Sequence, residues 1–233
     1  TPFPSPIKHG IEVRNVSFSY PNSARKAIEN VSFLIKPGAT VAIVGPNGSG
    51  KTTLVKLLCG LYEPTEGEIL IDGINMKQFR MSDIANNISA IFQDFMLYNT
   101  TARENIRLGN IKADNIPENI RKAAQDADID RLLSSLPKGY DTTLGTLFAG
   151  SEMLSQGQWQ RVALARSFFN HKAQIIFLDE PTSSLDRETQ RALNQSFLKI
   201  MQERTAIIVS HSDETIKMAD VVIDLGELKT RNS

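Results

Sequence analysis

Between a short apolar run and a leucine-rich helical stretch stands Gly45-Pro46-Asn47-Gly48-Ser49-Gly50-Lys51-Thr52, and no other segment restricts the fold as much. It meets the pattern G-x-x-x-x-G-K-[ST] in full, with Thr40–Val44 reading as a strand before it and Thr52–Leu61 as a helix after it. The glycines let backbone N–H groups turn toward phosphate oxygens with no Cβ in the way. The helix start adds about half a positive charge. Lys51 then reaches the β- and γ-phosphates, and the Thr52 hydroxyl is placed to ligate Mg²⁺. The alternative, a glycine-rich turn without a ligand, is disfavoured because both flanking elements are also right.

Strands Ile11–Ser19 and Val31–Ile35 precede the loop, and Glu68–Ile71 and Ile88–Phe92 follow it. From about Asp94 to Lys172 the pattern turns helical, at Ala102–Leu108, Pro117–Ala127 and Ile129–Leu136. Alternation then returns: strand Ile175–Leu178, helix Arg187–Gln202, strand Thr205–Ser210, helix Asp213–Met218 and strand Val221–Leu225. Strands separated by helices pair in parallel. The expected fold is therefore α/β, a mostly parallel sheet interrupted by a helical insertion. The expected parts are a linker over residues 1–10, a core over 11–93 and 173–233, and a helical subdomain over 94–172. Three prolines within Thr1–Pro6 give the linker an extended character and suggest a domain cut from a longer polypeptide.

Composition excludes some classes. The longest apolar runs, such as Val41–Val44 and Ile175–Leu178, hold four residues, against the roughly 20 a membrane helix requires. Lys+Arg and Asp+Glu both number 26, so no overall positive field draws the chain to nucleic acid. The single cysteine, Cys59, reads as core filler.

Further chemistry lies downstream. Ile175–Leu178 runs into Asp179 and Glu180, and ligands gather at the C-terminal ends of parallel strands. Asp179 suits a metal held through water, and Glu180 suits a base that accepts a proton from attacking water. Acids after a strand are also common helix caps. Ser155 reads as the N-cap of a helix over Gln156–Phe169, a second possible anion site that a single phosphate loop does not need. Gln93 after one strand can ligate Mg²⁺ or orient water, or be a plain loop amide. His211 after another can contact a γ-phosphate, or be a satisfied histidine at a strand end. Tyr20 can stack on adenine, or anchor a strand end in the core.

In this order the residues resemble the nucleotide-binding domain of ABC transporters over nearly the whole chain. Tyr20 is similar to the adenine-stacking aromatic, Gly45–Thr52 with Thr53 to the ATP-binding loop, and Gln93 to the Q-loop glutamine. Leu154–Gln158 is similar to the signature motif, Asp179 and Glu180 to the metal-site acid and catalytic glutamate, Ser184-Leu185-Asp186 to the D-loop, and His211 to the switch histidine. The resemblance implies an N-terminal antiparallel β subdomain and a head-to-tail homodimer formed on ATP binding. It places Ser155, Gly157 and Gln158 over ATP held by the partner, with Asp186 near the dimer contact. It implies Lys51, Gln93, Glu180 and His211 as the catalytic set, and Thr52, Gln93 and Asp179 as the Mg²⁺ set. The wording of Val16–Pro21, Gly67–Gly73 and Thr101–Ile106 resembles bacterial exporter cassettes. These work at the cytoplasmic face of the membrane, joined to a transmembrane domain that Phe95–Tyr98 would face.

Two positions depart from the pattern. Gln156 stands where glycine is usual, which is harmless if it is simply the first residue of its helix. Thr146 in Leu144-Gly145-Thr146 stands where exporters often carry glutamate. A soluble ABC-type ATPase of DNA repair or translation is the alternative function. It is disfavoured by the neutral charge and by the lack of a coiled-coil insertion, a zinc insertion or a basic linker. A catalytically dead cassette is disfavoured by the presence of Lys51, Glu180 and His211.

Overall fold

The structure, a computed structural model, describes residues 1–227 except Ala24, Asp114, Asn115, Ser184, Gln202 and Glu203. In chain order the first elements are β1 (Ile11–Phe18), β2 (Ile28–Ile35), β3 (Thr40–Val44), α1 (Lys51–Leu58), β4 (Glu66–Ile71), β5 (Ile74–Asn75), α2 (Met81–Asn87) and β6 (Ile88–Ile91). Next come α3 (Ala102–Arg107), α4 (Pro117–Asp126), α5 (Asp130–Ser135) and α6 (Gln156–Phe169). The chain continues with β7 (Ile175–Asp179), α7 (Arg187–Met201), β8 (Thr205–Val209), α8 (Asp213–Ile216) and β9 (Val221–Asp224). The result is the α/β fold expected, with a parallel sheet, an antiparallel N-terminal sheet and a set of helices. Among the described residues no helix is long and apolar enough to cross a membrane.

The chain divides into two compact units. The first comprises residues 1–90, 173–180 and those from 201 onward, and holds both sheets. Its antiparallel sheet runs β2-β1-β4-β5. Ile11 and Val13 face inward, then the register shifts before Val16 and Phe18. Asn15, at φ 48° within that shift, takes the left-handed turn a bulge needs. The second sheet runs β6-β7-β8-β3-β9, with β3, β7, β8 and β9 joined by parallel ladders. Strands buried on both faces read as continuous apolar runs, as Ile175–Leu178 and Ala206–Val209 do, every residue of which is buried.

Three features differ from expectation. Helix α1 stops at Leu58 because Gly60, at φ +71°, turns the chain. Leu61 N–H then reaches Lys56 O and Gly60 N–H reaches Leu57 O, both at 3.0 Å, a Schellman closure. Helix α2 was not expected, since seven residues with Ile84 alone buried carry no apolar period. The stretch expected as a linker is seated on this unit: Phe3 is buried against Phe79 at 5.0 Å between ring centroids. Gln174 accepts from Ile7 N–H at 2.9 Å and donates to Pro4 O at 2.8 Å.

The second unit comprises residues 91–172 and 181–200. Helix α6 is buried nearly all round, through Trp159, Val162, Leu164, Ala165, Phe168 and Phe169. Phe168 meets Phe197 of α7 edge-on at 6.1 Å. Arg166 of α6 donates to Asn105 O and Oδ1, each at 3.0 Å, and to Met96 O at 3.2 Å. Its guanidinium also lies 4.6 Å from the Tyr98 ring centroid. The backbone at Tyr98–Thr101 is thereby tied to α6, with the Asn105 amide donating to the carbonyls of Tyr98, Thr100 and Thr101.

Candidate functional site

Register makes the site. In the parallel sheet Ile43 pairs with Val209, and Val209 pairs with Asp179. The C-terminal ends of β3, β8 and β7 are therefore level. Gly45, His211 and Glu180 leave these strands at one sheet edge, where α/β folds collect ligands.

The loop after β3 keeps the backbone that the motif requires. Gly45, Gly48 and Gly50 lie at φ +145°, +77° and +99°. A Cβ on Gly45 would stand 2.9 Å from Ser49 Oγ, and one on Gly50 would stand 2.5 Å from Ala27 O. Pro46, Asn47 and Gly48 are exposed, whereas Ser49 and Lys51 are buried. Lys51 Nζ donates to Gly45 O at 2.8 Å and to Pro46 O at 3.1 Å, so the loop curls around its own ammonium. Helix α1 opens with no side-chain cap and no acid in its first turn. An uncapped helix start beside a lysine is the environment an anion fits. The buried Ser49 hydroxyl has no hydrogen-bond partner among the described residues, which costs about 1–3 kcal/mol until a ligand supplies one. Thr52 follows Lys51, and Thr53 shares a hydrogen bond with the Tyr20 hydroxyl at 3.1 Å.

Asp179 ends β7 at 1% exposed. Asp179 and the Thr52 hydroxyl both carry oxygen, the ligand type that Mg²⁺ favours. Cys59, the C-cap residue of α1, is buried, and its thiol is pushed far up by burial and then by the Asp179 charge, so it stays neutral and inert.

Glu180 is the strained residue. Its φ of 50° is left-handed for a side chain with a Cβ, an arrangement that costs about 1–3 kcal/mol and gathers at functional sites. Its N–H is held by Val209 O at 2.9 Å. Its carboxylate lies 3.4 Å from His211 Nε2, with the glutamate side chain mostly covered and the histidine exposed. Burial raises the Glu180 carboxyl above its ordinary range; His211 opposes this, Asp179 adds to it and Lys51 opposes it. A carboxyl tuned upward is a better proton acceptor.

The remaining expected residues lie in the second unit. Gln93 is exposed and opens, with Phe95, Leu97, Thr146 and Gln156, onto a cavity of about 500 Å³. Gln156 is the first residue of α6 and is absent from the positive-φ positions, so glycine is not required there. Ser155 caps α6 as expected. The sequence reading missed that the cap is reciprocal: Ser155 Oγ accepts from Gln158 N–H at 3.3 Å and Gln158 Oε1 accepts from Ser155 N–H at 2.8 Å. The Ser-x-x-Gln spacing was the available signal. Gly157 follows in the first turn. Asp186 caps α7 by accepting from Glu188 N–H at 3.1 Å and Thr189 N–H at 3.0 Å, while Ser184 lies outside the described residues.

Comparison with known proteins places the chain among relatives of one family. A family profile described as ABC transporter matches residues 28–183. The chain is 41% identical over 229 residues to the subtilin transport ATP-binding protein SpaT of Bacillus subtilis, covering 97% of this chain and 37% of that protein. It is 38% identical over 229 residues to an ATP-dependent lipid A-core flippase of Pseudomonas fluorescens, with the same coverage. Among solved structures, a bacterial Atm1-family ABC exporter with ATP bound matches 100% of this chain and 41% of its own, at 32% identity and a TM-score of 0.85. The chain thus spans 37% of the length of these two curated relatives.

Proposed function

The chain belongs to the ABC transporter family, and from that premise we propose that it is the ATP-binding and ATP-hydrolysing cassette of a membrane exporter. The carrying observation is the level sheet edge, where the phosphate loop, Glu180 and His211 emerge side by side from β3, β7 and β8. In this reading the loop Gly45–Thr53, through its backbone N–H groups at positions other than Pro46, and the Lys51 ammonium cradle the phosphates of ATP, and Tyr20 receives the base. Thr52, and Asp179 through water, would hold Mg²⁺, which would supply positive charge to offset the charge building up on the phosphates. Glu180 takes a proton from water, and His211, whose Nε2 lies 3.4 Å from the Glu180 carboxylate, helps to position that water.

Gln93, Ser155, Gly157 and Gln158 enter the proposal on the family motif. The last three would meet ATP held by a second cassette, giving two composite sites under two-fold symmetry. The reciprocal cap at Ser155 and Gln158 already satisfies donors at the start of α6, so contact with the partner's ATP would exchange those bonds. The helix start of α1 has no such side-chain cap, so phosphate contact there displaces none. A transmembrane domain on the same full-length protein, facing Phe95–Tyr98 from the membrane side, is supported by the greater length of the transporter and flippase relatives. Met96, Leu97 and Tyr98 are exposed and suit such a contact. The cassette would then lie at the cytoplasmic face. These relatives also favour export over a soluble repair or translation ATPase.

Replacement of Glu180 by Gln tests the reading. ATP affinity is expected to stay near that of the wild type while steady-state phosphate release falls at least a hundredfold, in line with loss of a general base. Turnover at the wild-type rate in Glu180→Gln refutes it.

A further inference from the structure

At the end of β1 three rings form a closed triangle. Centroids lie 5.0 Å apart for Phe18 and Tyr20, 5.4 Å for Phe18 and Tyr62, and 5.4 Å for Tyr20 and Tyr62. Tyr20 meets its two partners at 80° and 85°, the edge-to-face arrangement that aromatic pairs favour. No described ring stacks parallel on it. The backbone holds the three together: Thr65 N–H and Oγ1 both donate to Ser17 O, each at 2.9 Å. Ser23 N–H closes a turn onto Tyr20 O at 3.0 Å. At its far end the Tyr20 hydroxyl meets Thr53 of α1.

Tyr62 has no part in the site as described so far. Phe18 is buried, whereas Tyr62 is 38% exposed and just beyond the Schellman turn that ends α1. A side chain needed only to fill the interior would be covered. An exposed ring set at right angles to the ring assigned to the base acts as a brace.

We propose that Tyr62 is a positioning residue for base recognition, holding the Tyr20 ring in place for stacking on the adenine of ATP. This rests on the reading of the chain as an ATP-binding cassette. A ring fixed in advance loses less rotamer freedom when the base arrives, so more of the stacking contact appears as affinity. The phosphates are held elsewhere, by the loop and Lys51, so the contribution of Tyr62 belongs to the base alone.

Inorganic tripolyphosphate, which carries the phosphates without a base, separates the two. Dissociation constants for ATP and tripolyphosphate are to be measured on the wild type, Tyr62→Leu and Tyr62→Phe. In Tyr62→Leu, ATP binding is expected to weaken roughly three- to tenfold while tripolyphosphate binding holds, as loss of one ring pair implies. Tyr62→Phe keeps the ring and is expected to restore the wild-type ratio. An unchanged ratio in Tyr62→Leu, an equal loss of both ligands, or no rescue by Tyr62→Phe overturns the proposal. If the wild type itself binds ATP no more tightly than tripolyphosphate, the assignment of Tyr20 to the base fails first.

Discussion

Replacing Gly50 with Ala measures how far the phosphate loop depends on two separate properties of glycine. Gly50 precedes α1 at φ +99°, where a side chain costs about 1–2 kcal/mol. The added Cβ would also stand 2.5 Å from Ala27 O and 2.6 Å from Ile28 Cδ1. Ile28 is 0% exposed, so its methyl has no solvent to retreat into, and such overpacking adds about 1–3 kcal/mol. The two sum to about 2–5 kcal/mol, a large share of the 5–15 kcal/mol typical of a folded protein. Gly48 supplies the control. It lies at φ +77°, and a Cβ there meets nothing within 4 Å, so Gly48→Ala carries only the backbone cost of about 1–2 kcal/mol. Urea unfolding of both variants, followed by circular dichroism and compared at shared slope, gives the two losses. Losses equal within about 0.5 kcal/mol would show that the wall at Ala27 and Ile28 yields freely, and would refute the steric half of the argument.

Two pH effects follow from the charged groups. Burial raises the Glu180 carboxyl above its ordinary value of 4.5, and His211 holds it down. With Glu180 as the proposed base, which acts as the carboxylate, hydrolysis is expected to rise with pH through that raised value. His211→Ala removes a lowering influence, so the acid limb of kcat/KM moves to higher pH as well as dropping in height; an unmoved limb in the pH–rate profile argues against the pairing. At Asp72 burial raises the carboxyl, but N–H groups of Lys8, His9 and Gly10 at 2.8, 2.7 and 3.0 Å outweigh it and hold it below 3.8. A depressed carboxyl stabilises the fold above its unfolded value, and that contribution is lost as pH falls through the folded value. Asp72→Asn, at a largely solvent-screened site where the amide oxygen can still accept, is therefore expected to lose about 0.5–1 kcal/mol at pH 7, with the gap to wild type closing below pH 3.8. Urea midpoints at both pH values check this, and a gap constant with pH counts against it.

What the sequence alone determined is local chemistry. The glycines, lysine and threonine of the loop at Gly45–Thr52 must turn the backbone in a few allowed ways, so strand, loop and helix could be read directly. The apolar runs at Ile175–Leu178 and Ala206–Val209 are legible for a similar reason, since a strand covered on both faces has no polar face to obscure it. Ser155 as a cap and Gln156 as an ordinary helical residue depend only on neighbours within one turn. Helix α2 escaped because seven residues with a single buried position carry no apolar period, and the end of α1 moved because one residue, Gly60, closed it early. What tertiary structure decided is adjacency. Nothing in the spacing of Lys51, Glu180 and His211 states that three strands end level; the ladder register does. The left-handed backbone at Glu180, the rise of its carboxyl and the ring of Tyr62 beside Tyr20 likewise arise from residues distant in the chain. Burial and mutual charge exist only once the sheet brings those residues together.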